Sequence, residues 1–316
     1  MRGNLPYPGY KACAKVGGRL IEPRYFEPET IEEALSLASK YKGECKLLSG
    51  GTDLLVQMKH GEVLPSYIIN IAGISGHNYI SYNEQEGLRI GALATIHSVE
   101  ASPLIREKFS ILAQAASQMG TVQIRNRATI GGNVCNAAPS ADTAPALIAL
   151  GAKAKITGVD GQRVVLMEDF FTGPGQTALK SDEILVEVQV PNLPPRSSGV
   201  YIKQTVRRAL DLAIAGVAVV VTMDGDTLSD VKIALGAVAP TPIRARRAEE
   251  ILRKRKITDD LLERVGQTAA GESSPIDDVR SSADYRRKMV KVLVIRAIRQ
   301  AVEQTKATKA ILGDLP

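Results

Sequence analysis

The chain has 316 residues, 44% of them hydrophobic, enough to bury a sizeable core in two or three folding units. Its net charge of +6 comes from 40 basic and 34 acidic residues mixed along the whole length, a mildly basic balance that would need a focused patch as well to bind nucleic acid. Three scattered cysteines (Cys13, Cys45, Cys135) and three isolated histidines (His60, His77, His97) argue against a disulfide framework and against a zinc or iron–sulfur site built from this chain alone.

Residues 1–22 read as an irregular arm interrupted by Pro6, Pro8, Gly9, Gly17 and Gly18, with no apolar leader. Order is expected from Tyr25 onward. Thr30 and Glu33 form a capping box for a helix whose apolar face is Ile31, Ala34, Leu35 and Ala38, stopped by Gly43. A strand at 46–48, a double-glycine turn, a helical segment at 54–59 and a strand at 67–71 complete a small α/β lobe spanning 23–74.

A second lobe is expected over 75–195. Residues 88–94 read as a strand, and Ser102-Pro103 opens a helix that runs to Met119 and stops at Gly120. Residues 142–150 read as helical, 153–157 pair with 163–167 across the Asp160-Gly161 turn, and 183–190 alternate as a strand ended by Pro191. The Pro/Ser/Gly-rich stretch 192–199 marks a domain boundary. Beyond it, strands at 201–206, 213–223 and 227–235 precede helices near 244–254, 259–269 and 283–304, an α+β pattern over 199–306 followed by a tail at 307–316. The most apolar run, 212–223, is too short to span a membrane and reads as a buried strand, so a cytoplasmic protein is expected.

Two stretches organise the functional reading. Lys46-Leu-Leu-Ser-Gly-Gly-Thr-Asp-Leu-Leu55 and Ala128-Thr-Ile-Gly-Gly-Asn-Val134 each place paired glycines after a short apolar run, read as strand then turn. Such glycines permit positive φ and close approach of a ligand, and the amides that follow can converge on an anion. Two of them suggest one ligand with two phosphates, such as a dinucleotide, with Thr52, Thr129 and Asn133 adding donors. Asp53 would repel a phosphate unless it turns away to cap the next helix. Asp142 is open to two readings, an acceptor for ribose or flavin groups or an N-cap for the helix after it.

Gly173-Pro-Gly-Gln-Thr-Ala178 matches a dinucleotide fingerprint in letters, but lacks the preceding strand and the long following helix, so it reads as a plain turn. The basic segment 244–256, with seven positive and two negative charges, reads as a solvated helix face, with docking to an acidic partner as the alternative. Tyr285, Met289, Val292, Leu293 and Ile298 read as the core face of the last helix. No catalytic triad, carboxylate pair or activated cysteine emerges, so no catalytic residue is assigned and the chemistry is expected to come from a bound cofactor.

Leu48-Ser-Gly-Gly-Thr-Asp-Leu, Gln123-Ile-Arg-Asn, Ala128-Thr-Ile-Gly-Gly-Asn, Asn136-Ala-Ala-Pro-Ser-Ala-Asp142, Phe170-Phe-Thr-Gly-Pro-Gly and Ser282-Ala-Asp-Tyr-Arg-Arg together resemble the FAD-binding medium subunit of molybdenum hydroxylases, the xanthine and carbon monoxide dehydrogenase group. The similarity runs from about Tyr25 to Gln304. It implies a two-lobed FAD-binding domain followed by a C-terminal α+β domain. It also implies that Leu48, Ser49, Gly50, Gly51, Thr52, Asp53, Leu54 and Leu55, with Thr129, Ile130, Gly131, Gly132 and Asn133, surround the FAD pyrophosphate. Asn136 and Asp142 match positions at the ribityl or phosphate end. Ile184 and Leu185 flank the flavin or adenine, and Lys203 lies beside the isoalloxazine. The expected partners are a large molybdopterin subunit and a small 2Fe–2S subunit, arranged as a dimer of heterotrimers, with NAD as a candidate electron acceptor. The scattered cysteines argue against the extra iron–sulfur loop that some relatives carry. A scaffold of the same fold without redox activity, and a stand-alone flavin oxidase, are the competing readings.

Overall fold

The structure is a computed structural model that describes residues 14–16, 19–207 and 210–313. Most of the N-terminal arm, including Cys13, lies outside the described residues. Within the stretch expected to be irregular, β1 (Ala14–Val16) and β2 (Arg19–Ile21) pair antiparallel.

The first lobe contains β3 (Arg24–Phe26), α1 (Ile31–Lys40), β4 (Cys45–Leu48), α2 (Leu54–His60) and β5 (Tyr67–Asn70), with a parallel sheet ordered β3-β5-β4. The Thr30 hydroxyl accepts the Glu33 amide at 3.2 Å, a cap that contributes roughly 1 kcal/mol. The Glu33 carboxylate departs from the expected box by accepting from the Glu29 amide. The α1 face Ile31, Ala34, Leu35 and Ala38 packs on Ile69 and Ile71, and also on Ile184 and Val186 of a strand from the second lobe.

That second lobe runs through β6 (Ile80–Asn83), β7 (Gly87–Gly91), α3 (Ile96–Ala101), α4 (Pro103–Lys108), α5 (Ser110–Ser117), α6 (Val122–Arg125), α7 (Ile130–Asn136), α8 (Thr143–Ala149), β8 (Lys153–Gly158), β9 (Gly161–Leu166), α9 (Met167–Phe170), β10 (Phe171–Gly173), β11 (Gln176–Thr177) and β12 (Glu183–Val190). Its main sheet is antiparallel in the order β6-β7-β12-β8-β9. The helix expected to continue from Pro103 to Met119 breaks at Phe109, whose backbone is non-helical (φ −136°) and whose side chain is buried. Burying that ring offsets the lost helical continuity. The strand expected over 88–94 stops at Gly91, because the Ala92 and Ala94 carbonyls bond to amides of α7 instead of to a neighbouring strand.

The C-terminal part comprises β13 (Ser197–Gln204), β14 (Ala215–Asp224), β15 (Thr227–Gly236), β16 (Ile243–Arg244), α10 (Arg246–Leu252), β17 (Arg255–Lys256), α11 (Asp259–Glu272) and α12 (Ala283–Gly313). Its sheet is ordered β13-β14-β15-β16, with β17 also pairing to β15, and its inner face packs on α11 and α12. The chain is thus an α+β protein in which a two-lobed unit precedes a domain of strands then helices.

Two expectations are corrected here. The basic segment 244–256 is strand, helix and strand, and its first residue is not solvated. The Arg244 side chain is 11% exposed, ion-paired with Glu249 and Glu168, while Arg246 also reaches Glu168, Arg253 reaches Asp230 and Lys256 reaches Asp226. On α12, Leu293 and Ile298 are buried as expected, but Tyr285 is 43% exposed. None of the described helices is long and apolar enough to cross a membrane.

Candidate cofactor site

The first glycine pair follows β4, where the chain turns over Ser49–Asp53 before α2. Gly51 adopts φ 74°, which favours glycine. Gly50 serves a different purpose. A Cβ there would lie 2.2 Å from the Arg127 carbonyl oxygen and 2.9 Å from the Ala128 Cα, so the two lobes touch through bare backbone. The amides of Gly50, Gly51, Thr52 and Asp53 take no acceptor among the described residues. A run of unpaired amides at the end of a parallel strand is the electrostatic signature of an anion cradle.

The second pair is built differently, and this corrects the strand-then-turn reading. Gly131 and Gly132 lie in the first turn of α7 without positive φ. The four amides at that helix start are all paired. Ile130 donates to the Ala94 carbonyl (2.9 Å), Gly131 to Ala92 (2.9 Å), Gly132 to Thr129 Oγ1 (3.0 Å) and Asn133 to the Thr129 carbonyl (2.9 Å). They have nothing left for an anion. Glycine is needed at 131 because a Cβ would lie 2.7 Å from the Ala92 carbonyl oxygen. Thr129 is the N-cap, and its hydroxyl also lies 3.1 Å from Ser49 Oγ, joining the two segments.

Between them lies a cavity of about 400 Å³, within the range of cofactor sites. Of the residues expected to hold the cofactor, Leu48, Ser49, Gly50, Gly51, Thr52, Asp53, Leu54, Thr129, Gly131, Gly132, Asn133, Asn136, Ile184 and Leu185 line it. Leu55, Ile130, Asp142 and Lys203 do not. Leu55 is 40% exposed and packs beside Gly51, and Ile130 is fully buried in the second-lobe core. The lining also includes Lys46, Gln57, Met119, Cys135 and Leu179. Lys46 is the one cation of the wall among the described residues; it had a signal in its place beside the glycine turn. Cys135 and Met119 had none, since only tertiary packing brings them there.

Behind the wall the Asn133 side-chain Oδ1 accepts from the buried Thr143 hydroxyl at 2.5 Å, while the Asn133 Nδ2 and the Asn136 side chain have no partner among the described residues. Desolvation pushes the Cys135 thiol up to about 12, so it stays neutral. Asp53 stands at the N-cap of α2 but makes no capping bond, contrary to the role that would have turned it away from an anion. Partial desolvation raises its carboxyl above the ordinary range, and a bond from Thr52 pulls it partly back.

Asp142 and Lys203 meet each other instead of the cavity. Lys203 Nζ donates to Asp142 Oδ2 at 2.8 Å and to the Gln118 carbonyl at 3.0 Å, while the Tyr201 hydroxyl donates to Asp142 Oδ1 at 2.8 Å. Asp142 occupies the N-cap position of α8 yet caps nothing, so the N-cap reading is corrected too. Burial raises its carboxyl, against the pull of Lys203 and Tyr201. The pair stands one residue behind the wall: Gln118 precedes Met119, and Asp142 precedes Thr143, the partner of Asn133.

Residues 19–193 match the family model described as the FAD binding domain in molybdopterin dehydrogenase, and residues 200–301 match the CO dehydrogenase flavoprotein C-terminal domain. The chain is 33% identical to the glyceraldehyde dehydrogenase medium chain of Sulfolobus acidocaldarius, over 87% of this chain and 97% of that one. It is 32% identical to the xanthine dehydrogenase FAD-binding subunit of Escherichia coli O157:H7, over 88% and 95%. A solved structure of carbon monoxide dehydrogenase from Hydrogenophaga pseudoflava superposes with a TM-score of 0.86 at 33% identity, covering 90% of this chain and 98% of that one. With its paired-lobe cavity and both family segments in order, the chain belongs to the FAD-binding medium subunits of the molybdenum hydroxylases, an oxidoreductase family.

Proposed function

We propose that this chain holds FAD in an extended pose across the cavity. In this reading it passes electrons between the 2Fe–2S clusters of a small partner subunit and an acceptor such as NAD, while a large partner carries the molybdopterin cofactor. A dimer of such heterotrimers is the assembly this reading expects. The observation that carries it is the run of unpaired amides at Gly50–Asp53, which faces a glycine-surfaced helix across a cavity of about 400 Å³.

The residues fit FAD by their chemistry. A pyrophosphate would take the Gly50–Asp53 amides and the Lys46 ammonium, matching negative charge to donors that otherwise lack partners. The bare faces of Gly131 and Gly132 let the same group approach α7 closely, although its amides are already paired, while Asn133 and Asn136 offer side-chain amides to the ribityl or phosphate end. Ile184 and Leu185 supply an apolar wall for a planar ring. Lys203 would set the charge behind the ring end, and Asp142 would do so through Lys203. Bound FAD would supply the exchange between single-electron and two-electron carriers that no side chain of this protein can provide. The chain's own part is to bind, orient and shield. Lobe boundaries at 23–74, 75–195 and 199–306 belong to the same reading.

The test is a visible absorption spectrum of the purified chain, followed by NADH under anaerobic conditions. Flavin bands that bleach support both the cofactor and the nicotinamide. Bands that persist keep the cofactor and point to another acceptor or to a need for the partner subunits. A colourless protein that does not take up added FAD overturns the reading in favour of a scaffold role, and bleaching by an organic substrate without partners favours an oxidase.

A further inference from the structure

The side chains of Asp142, Tyr201 and Lys203 form a buried polar group behind the cavity wall. Tyr201 is 4% exposed, and the Lys203 and Asp142 side chains are 5% and 6% exposed. Burying an ion pair is costly unless each member is held by further hydrogen bonds. Here the pair has two such bonds among the described residues, from the Tyr201 hydroxyl to Asp142 Oδ1 and from Lys203 to the Gln118 carbonyl.

Asp142 has a competing local role. It stands at the N-cap of α8, and the amides of Thr143 and Ala144 take no acceptor among the described residues. An N-cap carboxylate ordinarily accepts from the second or third helical amide, and with proline at the third position only the Ala144 amide is such a donor here. In this structure it turns the other way, onto β13, where the phenol holds one oxygen and leaves the other facing Lys203.

The C-terminal sheet makes room for this arrangement. Gly216 is the cross-strand partner of both Lys203 and Gly236. A Cβ on Gly216 would lie 2.9 Å from the Tyr201 hydroxyl, and one on Gly236 would lie 2.6 Å from Pro145 Cγ of α8. Two facing glycines in a buried strand pair weaken the sheet by roughly 0.5–1 kcal/mol each. What they admit is the phenol and the start of α8, the two elements that meet at Asp142.

We propose that Tyr201 is a positioning residue for Lys203: by holding the Asp142 carboxylate against the ammonium, it limits how much of the Lys203 charge reaches the Met119 side of the FAD cavity. The inference rests on the proposed FAD function. It makes the charge behind the cavity a compensated pair oriented by a residue of the C-terminal domain. Without the phenol, Asp142 Oδ1 loses its donor, the carboxylate is held less closely against the ammonium, and Lys203 acts as a barer cation beside the Gln118 carbonyl.

The experiment is a redox titration of FAD bound to the full chain, in the wild type, Tyr201→Phe, Lys203→Met and the double variant. Lys203→Met is expected to lower the midpoint potential and Tyr201→Phe to raise it. A tenfold change in the relative affinity for reduced and oxidised flavin corresponds to about 30 mV for a two-electron couple. The double variant is expected to titrate like Lys203→Met alone, because the phenol acts through the lysine. Gly216→Ala, which crowds the phenol without removing a polar group, is expected to shift the potential in the same direction as Tyr201→Phe, by less. An unchanged potential in Tyr201→Phe alongside a shift in Lys203→Met overturns the inference alone. So does a Tyr201→Phe shift that survives in the Lys203→Met background. An unchanged potential in Lys203→Met overturns the proposed role of that lysine and the inference with it, and a wild type that takes up no FAD overturns the functional reading itself.

Discussion

The segments Ser49-Gly-Gly-Thr52 and Ile130-Gly-Gly-Asn133 are near-copies in composition and opposites in structure. In the first, one glycine has positive φ, the other meets the backbone of the second lobe, and the amides take no acceptor among the described residues. In the second, both glycines are helical and every amide is paired within the protein. A glycine pair signals close approach in both places, but whether it signals an anion depends on where the amides are spent.

The largest expected effect on this contrast comes from Gly50→Ala. Its methyl would overlap a backbone carbonyl at 2.2 Å, which no side-chain adjustment relieves. The lobes must separate, with loss of FAD retention and a destabilisation of at least the ~1–3 kcal/mol typical of overpacking. The checks are flavin-to-protein ratio and thermal melting. Gly131→Ala pushes α7 off Ala92 from 2.7 Å and is expected to lower stability comparably, with cofactor loss following it. Full FAD occupancy in both variants would remove the close-approach account.

A smaller effect is expected from Thr129→Val. It removes the cap on Gly132 and the hydroxyl contact to Ser49, at roughly 1 kcal/mol of stability. FAD affinity should fall by less than stability, since no free amide of the cradle is touched; isothermal titration compared with chemical denaturation separates the two.

The smallest change is Asp53→Asn. A carboxylate beside a pyrophosphate is repulsive, worth about 1 kcal/mol or less at a screened site, so FAD should bind up to roughly fivefold more tightly. The pH dependence has a definite sign. The raised carboxyl is neutral below its own pKa and charged above it, so wild-type affinity should weaken as pH rises through and just above the ordinary carboxylate range. The Asn variant should lack that limb, and an identical pH profile in both proteins would place Asp53 away from the phosphates.

Much of the fold was legible because local pattern and tertiary packing agree. The Thr30 cap, the 3.6-residue apolar face of α1 and the Pro191 end of β12 each follow from neighbouring residues alone, as does the β8–β9 hairpin, although its turn is Val159-Asp160 and its register lies one residue from the expected one. The misses lie where distant residues decide. Phe109 breaks a helix to reach the core, Arg244 is drawn inward by Glu168 and Glu249, and the Ala92 and Ala94 carbonyls leave a strand to bond α7. In the site, the glycine segments and Ile184-Leu185 could be located from motif and resemblance. The Asp142–Lys203 pair could not, because 61 positions separate its members and only the glycine notch between β14 and β15 brings the phenol to them.

The central claim is that the unpaired amides at Gly50–Asp53, and not those at the start of α7, receive the anionic part of FAD. Residue-resolved amide hydrogen exchange with and without FAD tests it most directly. The account expects new protection at Gly50, Gly51, Thr52 and Asp53, and little change at residues 130–133, which are bonded already. New protection confined to residues 130–133, with 50–53 exchanging as before, would contradict it.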